Sequence, residues 1–245
     1  QVTLHLHNGF THSCHHPAPH KIPLEEIKKD VSALHNTNFK KSQRELMLKG
    51  EKPKECDYCW RTEESSKSEN VYSDRITKSL QPWANRKDEI LQAGSEKNIN
   101  PSYLEVSFSN SCNFKCSYCS PEVSSTWMEE VKKHGGYPTS TGFNNLDWIE
   151  QQEKTPIPQR EHNPYVEAFW KWWPELYSDL HTFRITGGEP LMSNDTFKVL
   201  DYIIEHPNKN LNLSINSNLV VPDVLIDKLI EKAKRIQSEG LIREF

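Results

Sequence analysis

The chain predicts an α/β fold organised on a parallel sheet, on three observations. Residues 182–186 and 211–215 read as strands, and each is followed by a segment with helical periodicity. Residues 103–108 are rich in strand formers, alternate in the same way and run straight into a cysteine-bearing loop. Strand and helix alternating at this spacing imply parallel neighbours joined by right-handed crossovers.

Taken in order, residues 24–35 and 42–49 have helical character, 64–70 form a polar loop, and 83–93 make a short helix leading onward. After the strand at 103–108, residues 122–133 read as a helix. Residues 135–163, with Gly, Pro, Asn and Thr, read as an insertion or long loop. From Val166, Phe169, Trp170, Trp173, Leu176 and Tyr177 fall at three- and four-residue spacing, the mark of a core-facing helical stripe. Pro174 lies inside that pattern and predicts a kink or break. Helices are expected at 195–206 and 222–238, the latter with Pro222 in its first turn and Gly240 as its C-terminal cap. Residues 241–245 resemble the start of a further strand. With no initiator Met, the chain reads as a fragment carrying about half of a six-stranded α/β barrel. The expected division is a small cysteine-bearing region at 1–85, a linker at 86–100 and the main α/β region at 101–245.

Composition narrows the functional classes. The 245 residues carry a net charge of −4, which gives a nucleic-acid partner no support. No apolar run reaches the roughly 18 residues a membrane span needs, and the first residues lack signal-peptide character. The expectation is a cytoplasmic protein without a membrane partner. The six cysteines stand at 14, 56, 59, 112, 116 and 119. Three within eight residues and a separate C-x-x-C pair suit metal chelation better than long-range disulfides.

Ser111-Cys112-Asn113-Phe114-Lys115-Cys116-Ser117-Tyr118-Cys119 contains C-x3-C-x2-C directly after a strand. Cubane clusters normally take four thiolates. Three closely spaced ones can each bind an iron and leave the fourth open, though a zinc site with a distant fourth ligand has the same spacing. About seventy residues on, the strand ending Arg184-Ile185-Thr186 runs into Gly187-Gly188-Glu189-Pro190. Glycines there allow close backbone approach to a ligand, and Glu189 offers a carboxylate to an ammonium group.

These two motifs, in this order and each at a strand's C-terminal end, resemble the radical S-adenosylmethionine (SAM) superfamily over residues 103–220. The resemblance implies a partial (β/α)6 TIM-like barrel and a 4Fe-4S cluster held by Cys112, Cys116 and Cys119, with SAM chelating the open iron. It implies that Tyr118 contacts adenine, or simply packs over the cluster. Gly187, Gly188 and Glu189 would hold the methionine amino group, and Pro190 would fix the turn. Ser214 and Asn216, in Ser214-Ile215-Asn216-Ser217-Asn218, occupy a place that meets ribose or carboxylate in the family, although the segment departs from the commoner version. The implied chemistry is reductive cleavage of SAM to a 5'-deoxyadenosyl radical that abstracts hydrogen. An electron donor such as flavodoxin or ferredoxin would supply it, and peptide or protein modification is the expected use. A small molecule or nucleic acid is the alternative substrate.

Cys14, in Ser13-Cys14-His15-His16-Pro17, and Cys56-Asp57-Tyr58-Cys59 resemble the Twitch/SPASM segments that bind auxiliary clusters. This implies an auxiliary iron–sulfur cluster at Cys14, Cys56 and Cys59. A zinc ion on the same cysteines with His15 or His16 stands beside it, as does a zinc-binding interaction module without SAM chemistry. Trp172 lies off the helical stripe and is a candidate stacking platform. Most of the eleven histidines are expected to be solvated. Ser124, Ser125 and Trp127 recur in Twitch-type relatives without a role that the sequence explains.

Overall fold

A computed structural model describes residues 1–65 and 72–245. The first strands are β1 (Val2–His5), β2 (Phe10–His12) and β3 (His20–Lys21). Helices α1 (Leu24–Lys29), α2 (Asn38–Leu48), α3 (Asp57–Ser65), α4 (Asp74–Ser79) and α5 (Lys87–Ala93) lead to β4 (Tyr103–Ser107). Then come α6 (Ser125–His134), α7 (Leu146–Gln151), α8 (Pro164–Asp179), β5 (Thr182–Thr186), α9 (Asn194–Glu205), β6 (Asn208–Ile215), α10 (Asp223–Ser238) and β7 (Ile242–Glu244). No helix among the described residues is long and apolar enough to cross a membrane.

All seven strands form one sheet in the order β3-β2-β1-β4-β5-β6-β7. Neighbours from β1 through β7 in that row are parallel, while β2 and β3 add antiparallel strands at one edge. The strands in residues 1–21 are additional to those expected from the sequence. Their placement means that the sheet crosses the boundary drawn at residue 85. β1 lies along β4, with Thr3 opposite Glu105 and His5 opposite Ser107. The expected polar loop at 64–70 lies mostly outside the described residues, and its first two residues end α3.

Period-two alternation sorts the sheet into two faces. Val2, Leu4, Leu104, Val106, Phe183, Ile185 and Leu213 are buried on one, and helix side chains including Phe169, Trp173 and Leu176 complete that core. Of the kink or break expected at Pro174, the break does not occur: α8 runs through it. Proline forfeits one helical bond, but burial of Trp172, Trp173, Leu176 and Tyr177 on this stretch offsets it. Trp172 is itself core, 1% exposed, with its indole N–H on Asn100 Oδ1 at 3.2 Å, so it is no stacking platform. Trp170 is the half-buried one, lying under the Lys198 ammonium and donating to Asp195. The insertion at 135–163 contains the short helix α7. Pro222 precedes α10 as its N-cap instead of entering the first turn, and Gly240 ends that helix at φ +56°. There Leu241 N–H bonds to Ile236 O and Gly240 N–H to Gln237 O, the paired closure of a Schellman motif.

Candidate functional site

Parallel strands bring their C-terminal ends to one side of a sheet, which is where α/β folds carry their sites. Here β4, β5 and β6 deliver the cysteine loop, Gly187-Gly188-Glu189-Pro190 and Asn216-Ser217-Asn218 to that side. The first two loops are in direct contact. Gly188 N–H donates to Ser109 O at 3.1 Å and Glu189 N–H to Ser111 O at 2.7 Å. A Cβ at Gly188 would fall on Ser111 O and within 2.8 Å of Asn110 O, while Gly187, at φ +115°, packs against Ser107 and Ser109. The glycines therefore admit the neighbouring loop's backbone. That backbone takes the room expected for a ligand. Gly188→Ala is expected to cost about 1–3 kcal/mol through overpacking against backbone that cannot yield, measured as a drop in thermal midpoint with the circular-dichroism spectrum unchanged.

Cys112, Cys116 and Cys119 are free and half-buried. Cys119 N–H donates to Cys116 O at 3.0 Å, and Phe114 N–H points at Cys112 Sγ at 3.4 Å. Burial, then the neighbouring Cys116 and Cys112 thiols, pushes the Cys119 thiol up, so the three sulfurs lie within electrostatic reach of one another. Among the described residues no three His, Cys, Asp or Glu side chains meet around one point, as a single ion would require. A cubane asks for one iron per thiolate, and three neighbouring thiols on one loop fit that donor set. Tyr118 is 88% exposed and does not pack over the loop; its hydroxyl lies beside Cys116, which raises the phenol above its usual value.

Glu189 is only 2% exposed, and its carboxylate is fully engaged. Oε1 accepts from Leu191 N–H at 3.0 Å and from Ser217 Oγ at 2.7 Å; Oε2 accepts from Asn218 N–H at 2.7 Å. Asn218 Nδ2 in turn donates to Asn113 Oδ1 at 3.0 Å, and Asn113 donates to Val220 O. One buried carboxylate thus ties the β6 loop to the β5 turn and, through Asn218, to the cysteine loop. Pro190 is buried at the start of the 3-10 turn that Glu189 caps. Of the two expected β6 contributors, Ser214 is exposed beside Arg184 in register, and Asn216 Oδ1 accepts from Arg184 Nε at 3.3 Å. Neither reaches Glu189, whose partners are the next two residues, Ser217 and Asn218.

The sheet's second face is polar. Register aligns Thr3, Glu105, Arg184 and Ser214 in one row and His5, Ser107 and Thr186 in the next. Arg184 lies 3.6 Å from the Glu105 carboxylate, which Thr186 also reaches at 3.3 Å. His7 is buried with Nδ1 on Ser107 Oγ at 2.9 Å, and His5 Nε2 lies 3.1 Å from His12 Nε2. Burial lowers His5 to about 3 and His7 and His12 to about 4. These histidines are not solvated as expected. The alternation Val2-Thr3-Leu4-His5-Leu6-His7 was the signal that could have placed them.

At the N-terminal cysteines, Cys14 adopts φ +83°, with Sγ 3.4 Å from Lys78 Nζ and 3.7 Å from Asp74 Oδ2. His16 pairs with Asp74 at 3.1 Å and stacks on Tyr58, between Cys56 and Cys59, at 3.9 Å. Burial, then Cys59 and Cys14, raises the Cys56 thiol. His15 instead meets the Gln1 side chain at 2.7 Å.

Comparison with known proteins finds curated relatives at low identity. The chain is 25% identical over 141 residues to a GTP 3',8-cyclase of Aliarcobacter butzleri, and 25% identical over 142 residues to a GTP 3',8-cyclase of Sulfurimonas denitrificans. Each match covers 58% of this chain and 32% of the relative, so the chain spans about a third of those proteins' length. No family model and no solved structure matches the chain.

Proposed function

We propose that the chain carries a radical SAM core, an enzyme module acting on a small molecule, with its five parallel strands forming an arc of a (β/α)6 barrel. The observation that carries this reading is the C-x3-C-x2-C loop at the end of β4, packed against Gly187-Gly188-Glu189 at the end of β5. The likeness to GTP 3',8-cyclases supports it and favours a small-molecule substrate. None of those names points to a peptide.

In this reading Cys112, Cys116 and Cys119 hold a 4Fe-4S cluster and leave one iron for SAM. When bound, the pair supplies a reducing electron and a hydrogen-abstracting radical. The chain's own residues bind and orient. Gly187 and Gly188 let the β5 turn close on the cysteine loop, Glu189 fixes Ser217 and Asn218, and Asn216 offers its amide NH2 to the ligand. The polar face that carries Glu105, Arg184 and Thr186 offers hydrogen bonds to a substrate lying over the sheet. Cys14, Cys56 and Cys59 hold a second centre, an auxiliary cluster or zinc, with Asp74 and His16 beside it. A small electron-transfer protein such as a flavodoxin or ferredoxin is the partner the chemistry requires.

Low-temperature EPR on anaerobically reconstituted, dithionite-reduced protein tests this. The expected result is a cubane signal whose g values move when SAM is added. Zinc in place of iron, or a cluster indifferent to SAM, would overturn the assignment.

A further inference from the structure

Ser124 to Trp127 open α6, and capping that helix needs only the first of them. Ser124 does so, its hydroxyl accepting from Trp127 N–H at 3.4 Å. The rest of the run serves the cysteine loop. Ser125 Oγ brackets Cys112, accepting from its N–H at 3.0 Å and donating to its carbonyl at 3.1 Å. Thr126 Oγ1 reaches the carbonyls of Cys112 at 2.8 Å and Phe114 at 3.0 Å, and Ser124 Oγ also reaches Phe114 O at 2.8 Å. The Trp127 indole N–H donates to Cys116 O at 2.9 Å. Residues 112, 114 and 116 are therefore each gripped from the same helix end. One turn further on, Glu130 holds Lys115 at 2.8 Å.

We infer that Ser125, Thr126 and Trp127 are positioning residues that preset the backbone of the cysteine loop for its cluster. The inference rests on the radical SAM reading of that loop. The loop's two aromatics, Phe114 and Tyr118, are both exposed, so it carries little packing of its own and without these bonds its thiols would sample many arrangements. Each bond contributes modestly to folding. Their joint effect is on ligand geometry, where loss of a supporting hydrogen bond typically weakens metal binding by 10–100-fold. The Cys112 N–H bonded to Ser125 and the Cys112 and Cys116 carbonyls bonded to Thr126 and Trp127 belong to residues that would ligate the cluster, so the same bonds would bear on its potential through the placement of those thiolates.

The test compares the wild-type chain with Trp127→Phe, Ser125→Ala and Ser125→Thr, each reconstituted anaerobically with iron and sulfide. Circular dichroism checks the fold, and a chelator challenge and EPR-monitored redox titration read the cluster. Trp127→Phe and Ser125→Ala should keep the fold, lose iron to chelator about tenfold faster and show a displaced midpoint potential. Ser125→Thr, which keeps the hydroxyl, should behave as wild type. If Trp127→Phe does not fold, the Ser125 pair decides alone. Variants that hold iron at the wild-type rate and potential overturn the inference while leaving the radical SAM reading intact. A wild-type chain that takes up no iron overturns both.

Discussion

Glu189→Gln is expected to destabilise the chain by about 3 kcal/mol and to loosen the cysteine loop with it. The carboxylate accepts from three donors, two of them backbone N–H groups of different loops. Glutamine keeps the shape but offers one acceptor oxygen. With that oxygen toward Leu191 and Ser217, the amide NH2 meets Asn218 N–H, donor against donor. Flipped, it meets Leu191 N–H in the same way. Either orientation strands a buried backbone donor, at about 1–3 kcal/mol, and weakens what had been charge-assisted bonds. For a chain of this size that corresponds to a fall of about 10 °C in Tm. Because Asn218 also holds Asn113 between the cysteines, the variant should reconstitute less iron at temperatures where it is still folded. Thermal unfolding followed by circular dichroism, with iron analysis below the transition, checks both effects. An unchanged midpoint would mean that the carboxylate is not the tie between these loops.

Much of this arrangement was legible because it is local. The strand β5 was read to its ends, since Thr182 to Thr186 alternates and stops at two glycines. α9 and α10 follow from periodicity, and the Gly240 cap from the need for a left-handed residue past a helix end. What could not be read depends on partners distant in sequence. β1 carries a legible alternation from Val2 to His7, but its place in the sheet is set by β4 a hundred residues later. Trp172 lay off the stripe because α8 is apolar on more than one side, which a single face of periodicity does not describe. At the site, the motif fixed that Glu189 would matter. Its engagement with Ser217 and Asn218, and not with Ser214 or Asn216, follows from how the β6 loop turns after its strand. The Ser124 to Trp127 run was noticed in the sequence, yet its meaning required seeing which carbonyls lay opposite.

His5 of β1, His12 of β2 and His7 in the turn between them set a second large effect, on acid stability. Unfolded, each would titrate near 6.5; folded, burial holds His7 and His12 at about 4 and His5 at about 3. The folded state thus binds fewer protons than the unfolded one between those values, and stability must fall as pH falls through that window. Above about pH 7 both states are neutral and the histidines impose no penalty. For fully buried His7 alone the loss by pH 4 is about 3 kcal/mol. His5 and His12 share a single hydrogen bond between ring nitrogens, so protonating both would set like charges 3.1 Å apart. Lys154 near His5 and Lys40 near His12 add to that cost. Carboxylates held low by their partners, such as Glu63 against Arg75, contribute losses only at lower pH. The chain is therefore expected to unfold cooperatively between about pH 6 and 4, well before general acid denaturation of its carboxylates. Tryptophan fluorescence against pH would follow it, since Trp172 and Trp173 are buried beneath the same sheet. His7→Gln, which removes one titrating ring while leaving a polar group near Ser107, should flatten the slope in that window. A wild-type chain whose stability stays level from pH 7 to 4 would show that these rings are not held neutral in the folded protein.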